Sequence, residues 1–205
     1  MKKGILLVLS GPSGVGKGTV GAELLKNHPE NLCFSVSATT RAMREGEAEG
    51  VNYFYKTPEE FDRMIENGEF LEYMRVFGKN YYGTPRAYVE SKLNSGISVL
   101  LDIDVQGAMS VKKNMPEAVT VFIAPPSLSV LRSRLIGRAT ETPEAIERRL
   151  AECKTEIRYI PRYDYVIVND DLSTAVNAVE SILTSIECTP ANNPGLVDRL
   201  IGEDL

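Results

Sequence analysis

Short apolar runs punctuate the chain at 5–9, 97–103, 119–123 and 165–168, the second of them broken by Ser98 and Asp102. Each is rich in β-branched residues and gives way to turn-like or helical sequence. Strands buried on both faces of a parallel sheet have this pattern. Between the runs, apolar residues at helical spacing predict helices over 17–26, 105–115, 128–138, 143–159 and 172–186. Strand alternating with helix predicts an α/β fold: a three-layer α/β/α core with a parallel sheet and right-handed crossovers.

The rhythm breaks over residues 35–95, which are denser in tyrosine, arginine and glycine and hold short strands at 53–55 and 70–76. Thr57-Pro58-Glu59-Glu60 marks a helix start, with a Thr cap, Pro in the first turn and Glu three residues after the cap. Asn67-Gly68 ends that helix. An inserted subdomain over 35–95 is therefore expected, and a second, arginine-rich helical excursion over 128–159. The core keeps 4–34, 96–127 and 160–187. In the tail, 188–205, Leu196, Val197, Leu200 and Ile201 have the spacing of a short docked helix.

Composition narrows the class. At 205 residues, 43% hydrophobic and 25% charged, the chain reads as one soluble globular unit. A net charge of −5 argues against a dedicated nucleic-acid binder or a polybasic membrane binder. Lys2 and Lys3 precede five apolar residues, too few for a secretory signal core, and a glycine-rich loop follows. Cys33, Cys153 and Cys188 are scattered and unpaired in pattern, which suits a reducing, cytoplasmic setting. With His28 as its one histidine, the chain has no histidine cluster for a metal.

The first apolar run leads into Gly11-Pro12-Ser13-Gly14-Val15-Gly16-Lys17-Gly18-Thr19. Apolar strand, glycine-rich loop and helix together make a phosphate cradle: loop N–H groups and the helix N-terminus face the anion, and Lys17 reaches its outer phosphates. One position departs from the pattern. Gly18 stands where a magnesium-binding hydroxyl is usual, and the hydroxyl comes one residue later, on Thr19. The Gly-Lys-Gly-Thr variant resembles that of adenylate kinases, which implies an Mg²⁺ that keeps more of its water and leans on substrate phosphates. A second apolar strand delivers Asp102 and Asp104, two acids at period-two spacing. Asp102 is a candidate for holding the metal or its water. Asp104 is equally readable as the cap of the following helix.

The insert carries Ser35-Val36-Ser37-Ala38-Thr39-Thr40-Arg41, Arg44-Glu45-Gly46-Glu47, Gly50-Val51-Asn52-Tyr53, Phe70-Leu71-Glu72-Tyr73 and Asn80-Tyr81-Tyr82-Gly83-Thr84. In this order and spacing the chain resembles guanylate kinases, from about Gly4 to Glu187, with Gly18 and Ala38 as modest departures. The resemblance implies a P-loop fold with a GMP-binding insert and a helical lid. It also implies transfer of the γ-phosphoryl of ATP, with Mg²⁺, to GMP or dGMP in purine nucleotide metabolism. In this reading Arg41, Arg44, Tyr53 and Tyr82 grip the acceptor phosphate. Glu72, helped by Asp104, reads the N1–H and N2–H donors of guanine, and the Ser37 and Thr84 hydroxyls meet O6. Arg134, Arg138 and Arg149 are implied as phosphate-facing lid arginines, with Arg132 and Arg148 in surface pairs. Monomer and homodimer are both compatible.

Two other readings compete. A catalytically inactive guanylate kinase-like module would bind phosphopeptides through the acceptor pocket, but the chain keeps Lys17, the loop glycines and the lid arginines. A related kinase with another phosphorylated acceptor would have no use for Glu72 paired with Ser37.

Overall fold

The computed structural model describes residues 3–76, 78–137 and 142–202. The chain begins with β1 (Leu6–Ser10), α1 (Lys17–Asn27) and β2 (Leu32–Phe34). It then departs through β3 (Ala38–Thr39), β4 (Phe54–Tyr55), α2 (Pro58–Glu66), β5 (Phe70–Val76) and β6 (Asn80–Pro85). It returns with α3 (Arg86–Asn94), β7 (Ser98–Asp102), α4 (Val105–Asn114) and β8 (Val119–Ala124). Helices α5 (Leu128–Gly137) and α6 (Pro143–Glu156) precede β9 (Tyr165–Val168), α7 (Leu172–Glu187) and α8 (Leu196–Gly202).

The main sheet has strand order β2-β7-β1-β8-β9, with every pairing parallel. Its central strand is buried on both sides, as the first apolar run predicts. Leu7 and Leu9 face a cluster built with Val20 and Leu24 of α1, Leu131 and Leu135 of α5, Leu150 of α6 and Val176 of α7. Leu6 and Val8 face the opposite cluster, with Val89 and Leu93 of α3 and Ala108 and Val111 of α4. Alternation along one strand thus glues helices to both faces and completes the three layers. Each such buried Leu or Val stabilises the fold by about 1.5–3 kcal/mol relative to exposure.

A second sheet, β4-β3-β6-β5, grows from the edge of this core. Helix α2 covers it through Phe61, which stacks on Phe70 at 4.4 Å and on Tyr81 at 5.2 Å. The start of α2 is the predicted capping box: Thr57 Oγ1 accepts from the Glu60 N–H at 3.2 Å, and the Thr57 N–H donates to Glu60 Oε2 at 2.8 Å.

Several elements differ from the sequence reading. β2 escapes notice because it is only three residues long. β6 and α3 escape as well, and α3 buries Val89 and Leu93 in a cluster with Leu6, Val8 and Leu101 of the main sheet and Leu71 of the second. The helix expected over 143–159 is α-helical only to Glu156. It continues as 3-10 turns, Ile157–Arg162, around Pro161, which has no N–H to donate. The terminal helix α8 forms but does not dock: Leu196, Val197, Leu200 and Ile201 remain 40%, 65%, 65% and 78% exposed. Among the described residues no helix is long and apolar enough to cross a membrane.

Candidate active site at the carboxyl ends of the parallel strands

Ligand sites in open parallel sheets lie beyond the carboxyl ends of the strands. Here β1 and β7 end side by side, Leu9 opposite Asp102. The loop after β1 needs its glycines. A Cβ on Gly11 would stand 2.3 Å from the carbonyl oxygen of Ile123. Gly16 caps α1 with φ 94°, where a side chain would also strike the Asn169 amide at 2.6 Å. Asn169, buried after β9, donates from Nδ2 to the Val15 carbonyl at 2.8 Å and pins the loop from beneath.

Lys17 opens α1 and folds its ammonium back over the loop, donating to the carbonyls of Gly11 at 2.7 Å and Pro12 at 3.2 Å. Its Nζ lies 4.0 Å from Asp102 Oδ1. Burial raises the Asp102 pKa, and the Lys17 charge partly offsets the rise. Gly18 borders this acid: a Cβ there would be in ordinary contact, 3.4 Å from Asp102 Oδ2. Thr19 borders a different cavity, with Gly14, Gly16 and Arg134. Among the described residues no group of three or more His, Cys, Asp or Glu could hold a metal ion. Asp102, beside Lys17 at the end of β7, is a donor that this end of the cavity offers to a hydrated Mg²⁺.

A cavity of about 530 Å³ runs from this loop to the second sheet. Gly11, Ser13, Lys17, Asp102, Asp104 and Glu156 line one end, and Ser37, Tyr53, Glu72 and Tyr82 the other. Glu72, Met74 and Val76 all face it from β5, as period-two spacing requires. Glu72 is a buried carboxylate, 7% exposed. Thr84 Oγ1 donates to its Oε1 at 2.6 Å from the paired strand β6. Burial raises the Glu72 pKa; the Thr84 hydrogen bond opposes this and the nearby Asp104 charge adds to it.

Other predicted residues are placed with more qualification. Asp104 lies beyond the end of β7, so strand periodicity does not relate it to Asp102. It caps α4, accepting the Gly107 N–H at 2.7 Å, and still lines the cavity. Thr84 stands behind Glu72 with its hydroxyl proton committed to that carboxylate. The Arg41 guanidinium packs 5.3 Å from the Tyr53 ring centre and donates to Glu47 Oε1 at 2.7 Å. Glu47 is held down at about 2, first by Arg41, then by the Arg44 N–H and the Tyr55 hydroxyl. Arg44 is exposed and does not line the cavity.

The lid arginines divide. Arg149 donates to Ser13 Oγ and so reaches the phosphate loop. Arg134 instead donates to the carbonyls of Asn169 at 2.9 Å and Asp170 at 3.3 Å. It borders a separate cavity of about 400 Å³ on the far side of the loop, with Gly14, Gly16 and Thr19. Arg138 lies outside the described residues. Arg132 and Arg148 form the expected surface pairs, with Glu147 and Glu152.

Sequence reasoning misses Asn169, Glu47 and Glu156. The last stands on α6 and faces the cavity, its pKa raised by burial despite the Lys17 charge. The signal for Asn169, a polar residue directly after an apolar strand, is present in the sequence but is common to many turns.

The sheet order, the glycine cradle with its lysine, and the acid at the end of the neighbouring strand define a P-loop α/β protein built to hold phosphates. Comparison with known proteins makes the class specific. The guanylate kinase family model matches residues 3–186. The chain is 51% identical over 187 residues to a guanylate kinase of Halalkalibacterium halodurans, covering 91% of each chain. It is 47% identical to one of Streptococcus pneumoniae, covering 98% of this chain and 92% of the relative. Among solved structures it resembles guanylate kinase from Anaplasma phagocytophilum, with TM-score 0.73, 39% identity and coverage of 98% and 96%. The chain belongs to the guanylate kinase family.

Proposed function

We propose that the protein transfers the γ-phosphoryl group of ATP to GMP, and to dGMP, giving ADP and GDP or dGDP. The observation that carries this reading is one continuous cavity with the Lys17 loop at one end and buried Glu72 at the other. Guanine offers N–H donors at N1 and N2, which a carboxylate accepts; adenine presents no such pair. A buried acceptor left unpaired by the wrong base gives discrimination of about 10⁴ or more.

In the proposed complex Glu72 takes the guanine edge, anchored by Thr84, and Ser37 meets O6. Tyr53, Tyr82, Arg41 and Arg44 draw the acceptor phosphate toward the loop, with Arg41 and Arg44 leaving their present positions to do so. The loop N–H groups and Lys17 hold the ATP phosphates, and the second cavity, beside Arg134, takes the adenosine half. A GMP phosphate oxygen attacks the γ-phosphorus in line, and the bond from that phosphorus to the β–γ bridging oxygen breaks. ADP leaves with the electron pair. The attacking oxygen is already ionised, so positioning and charge neutralisation carry the catalysis. Mg²⁺ brought by ATP would supply further charge neutralisation, and Asp102 would hold its water. Arg149 closes the lid end over Ser13 and excludes water that would otherwise accept the phosphoryl group.

The test is product analysis. With ATP, Mg²⁺ and GMP, GDP and ADP should appear in equal amounts. ADP without GDP would contradict the reading, as would phosphopeptide binding with no turnover.

A further inference from the structure

Helix α4 contains a glycine that its backbone does not require. Gly107 lies three residues past the cap Asp104, in the first turn, with no left-handed φ. Glycine there weakens the helix relative to alanine. A Cβ on Gly107 would stand 3.4 Å from Glu72 Oε2, 3.4 Å from Asp104 Oδ1 and 3.3 Å from Ile103 Cδ1. The bare backbone therefore sits between two carboxylates that line the same cavity. Glu72 cannot simply retreat, because Thr84 holds its other oxygen at 2.6 Å and the residue is buried. Asp104 is likewise tied by the Gly107 N–H at 2.7 Å.

We propose that Gly107 is a specificity-determining residue: its missing side chain keeps Glu72 clear and its second oxygen available to the purine edge. The proposal rests on the guanine reading above and extends it to a residue that need not touch the base. A methyl group at 107 would cover Glu72 Oε2 at ordinary contact distance and press on Ile103 Cδ1. A hydroxymethyl group does more, because its O–H lies within reach of Glu72 Oε2 or Asp104 Oδ1 and competes with the base for the acceptor.

The experiment compares Gly107→Ala, Gly107→Ser and Glu72→Ala by steady-state kinetics with GMP and AMP, alongside KM for ATP and a thermal melt. Gly107→Ser should raise KM for GMP by about tenfold or more and narrow the GMP/AMP ratio of kcat/KM, with KM for ATP unchanged. Gly107→Ala should do the same more weakly, and it carries the test if the serine variant does not fold. An unchanged GMP/AMP ratio would overturn the proposal, even with a lowered Tm, since that glycine would then serve packing alone. If Glu72→Ala narrows the ratio and neither Gly107 variant does, only the role of Gly107 fails. If Glu72→Ala leaves the ratio intact, the guanine reading itself fails.

Discussion

Thr84 Oγ1 donates to Glu72 Oε1 at 2.6 Å across the β5–β6 pair. The bond fixes one oxygen of a carboxylate whose burial opposes its charge. Removing the hydroxyl should leave the carboxylate present but loosely aimed. Thr84→Val is expected to lower kcat/KM for GMP by about 10–100-fold, as for loss of one hydrogen bond to a charged group of about 1.5–3 kcal/mol. Kinetics with GMP, with KM for ATP as the internal reference, checks this.

The raised pKa of Glu72 makes the site sensitive to acid. Its ordinary value is 4.5 and the folded value is higher, because of burial. Between the two, the folded chain binds a proton that the unfolded chain has lost. The contribution of this group to stability is therefore most favourable below pH 4.5 and declines as pH rises through the folded pKa. Guanine reading needs the ionised form, so GMP affinity should weaken as pH falls through that same raised value. A pH titration of GMP binding checks it. Glu72→Gln should abolish this step, leaving those of the substrate phosphate and of the other cavity acids, Asp102 and Glu156.

Arg41 is engaged by Glu47 in the absence of substrate, and Glu47 is held at about 2, chiefly by that pairing. The pair thus persists throughout the neutral range and parks the guanidinium beside Tyr53. Arg41→Ala should raise KM for GMP about 10–100-fold, the worth of one charge-assisted contact to phosphate. Glu47→Ala should cost less, since it removes the holder and not the cation.

Lys17 sits over the loop carbonyls near Asp102, where an incoming triphosphate would draw it forward. Lys17→Ala should lower kcat by about 10²–10³ or more, as for loss of a preorganised charge on the transferring group. A melt of the same variant should show a folded protein, which separates chemistry from stability.

Away from the site, the capping box at α2 offers a purely structural check. Thr57→Ala removes the hydroxyl that accepts the Glu60 N–H. The change should destabilise the fold by about 1 kcal/mol. In a chain of this size that lowers Tm by roughly 2–4 °C.

Strands β1, β7, β8 and β9, the glycine loop and the α2 cap were legible because each is a local pattern: an apolar run, a motif, a capping residue with its partner three positions on. The sites that sequence reasoning missed are joined over long separations. Asn169 supports Val15 across 154 positions, and Glu156 approaches Lys17 from the far end of a helix late in the chain. Arg134 shows the same limit from the other side. Its helical spacing was plain, but only the packing of α5 against the turn after β9 sends its guanidinium to Asn169 and Asp170 rather than into the main cavity. The terminal helix shows that amphipathic spacing predicts helix formation without predicting what the apolar face meets.

The account requires donor and acceptor to lie end to end, with the Lys17 loop between them. Binding of a single compound in which adenosine and guanosine are joined by five phosphates tests this most directly. Calorimetry should show one molecule bound per chain, competing with both ATP and GMP, and at least about 10²-fold tighter than GMP because the second half binds at high effective concentration. A compound that displaces only one of the two nucleotides, with no gain over that nucleotide alone, would contradict the shared cleft.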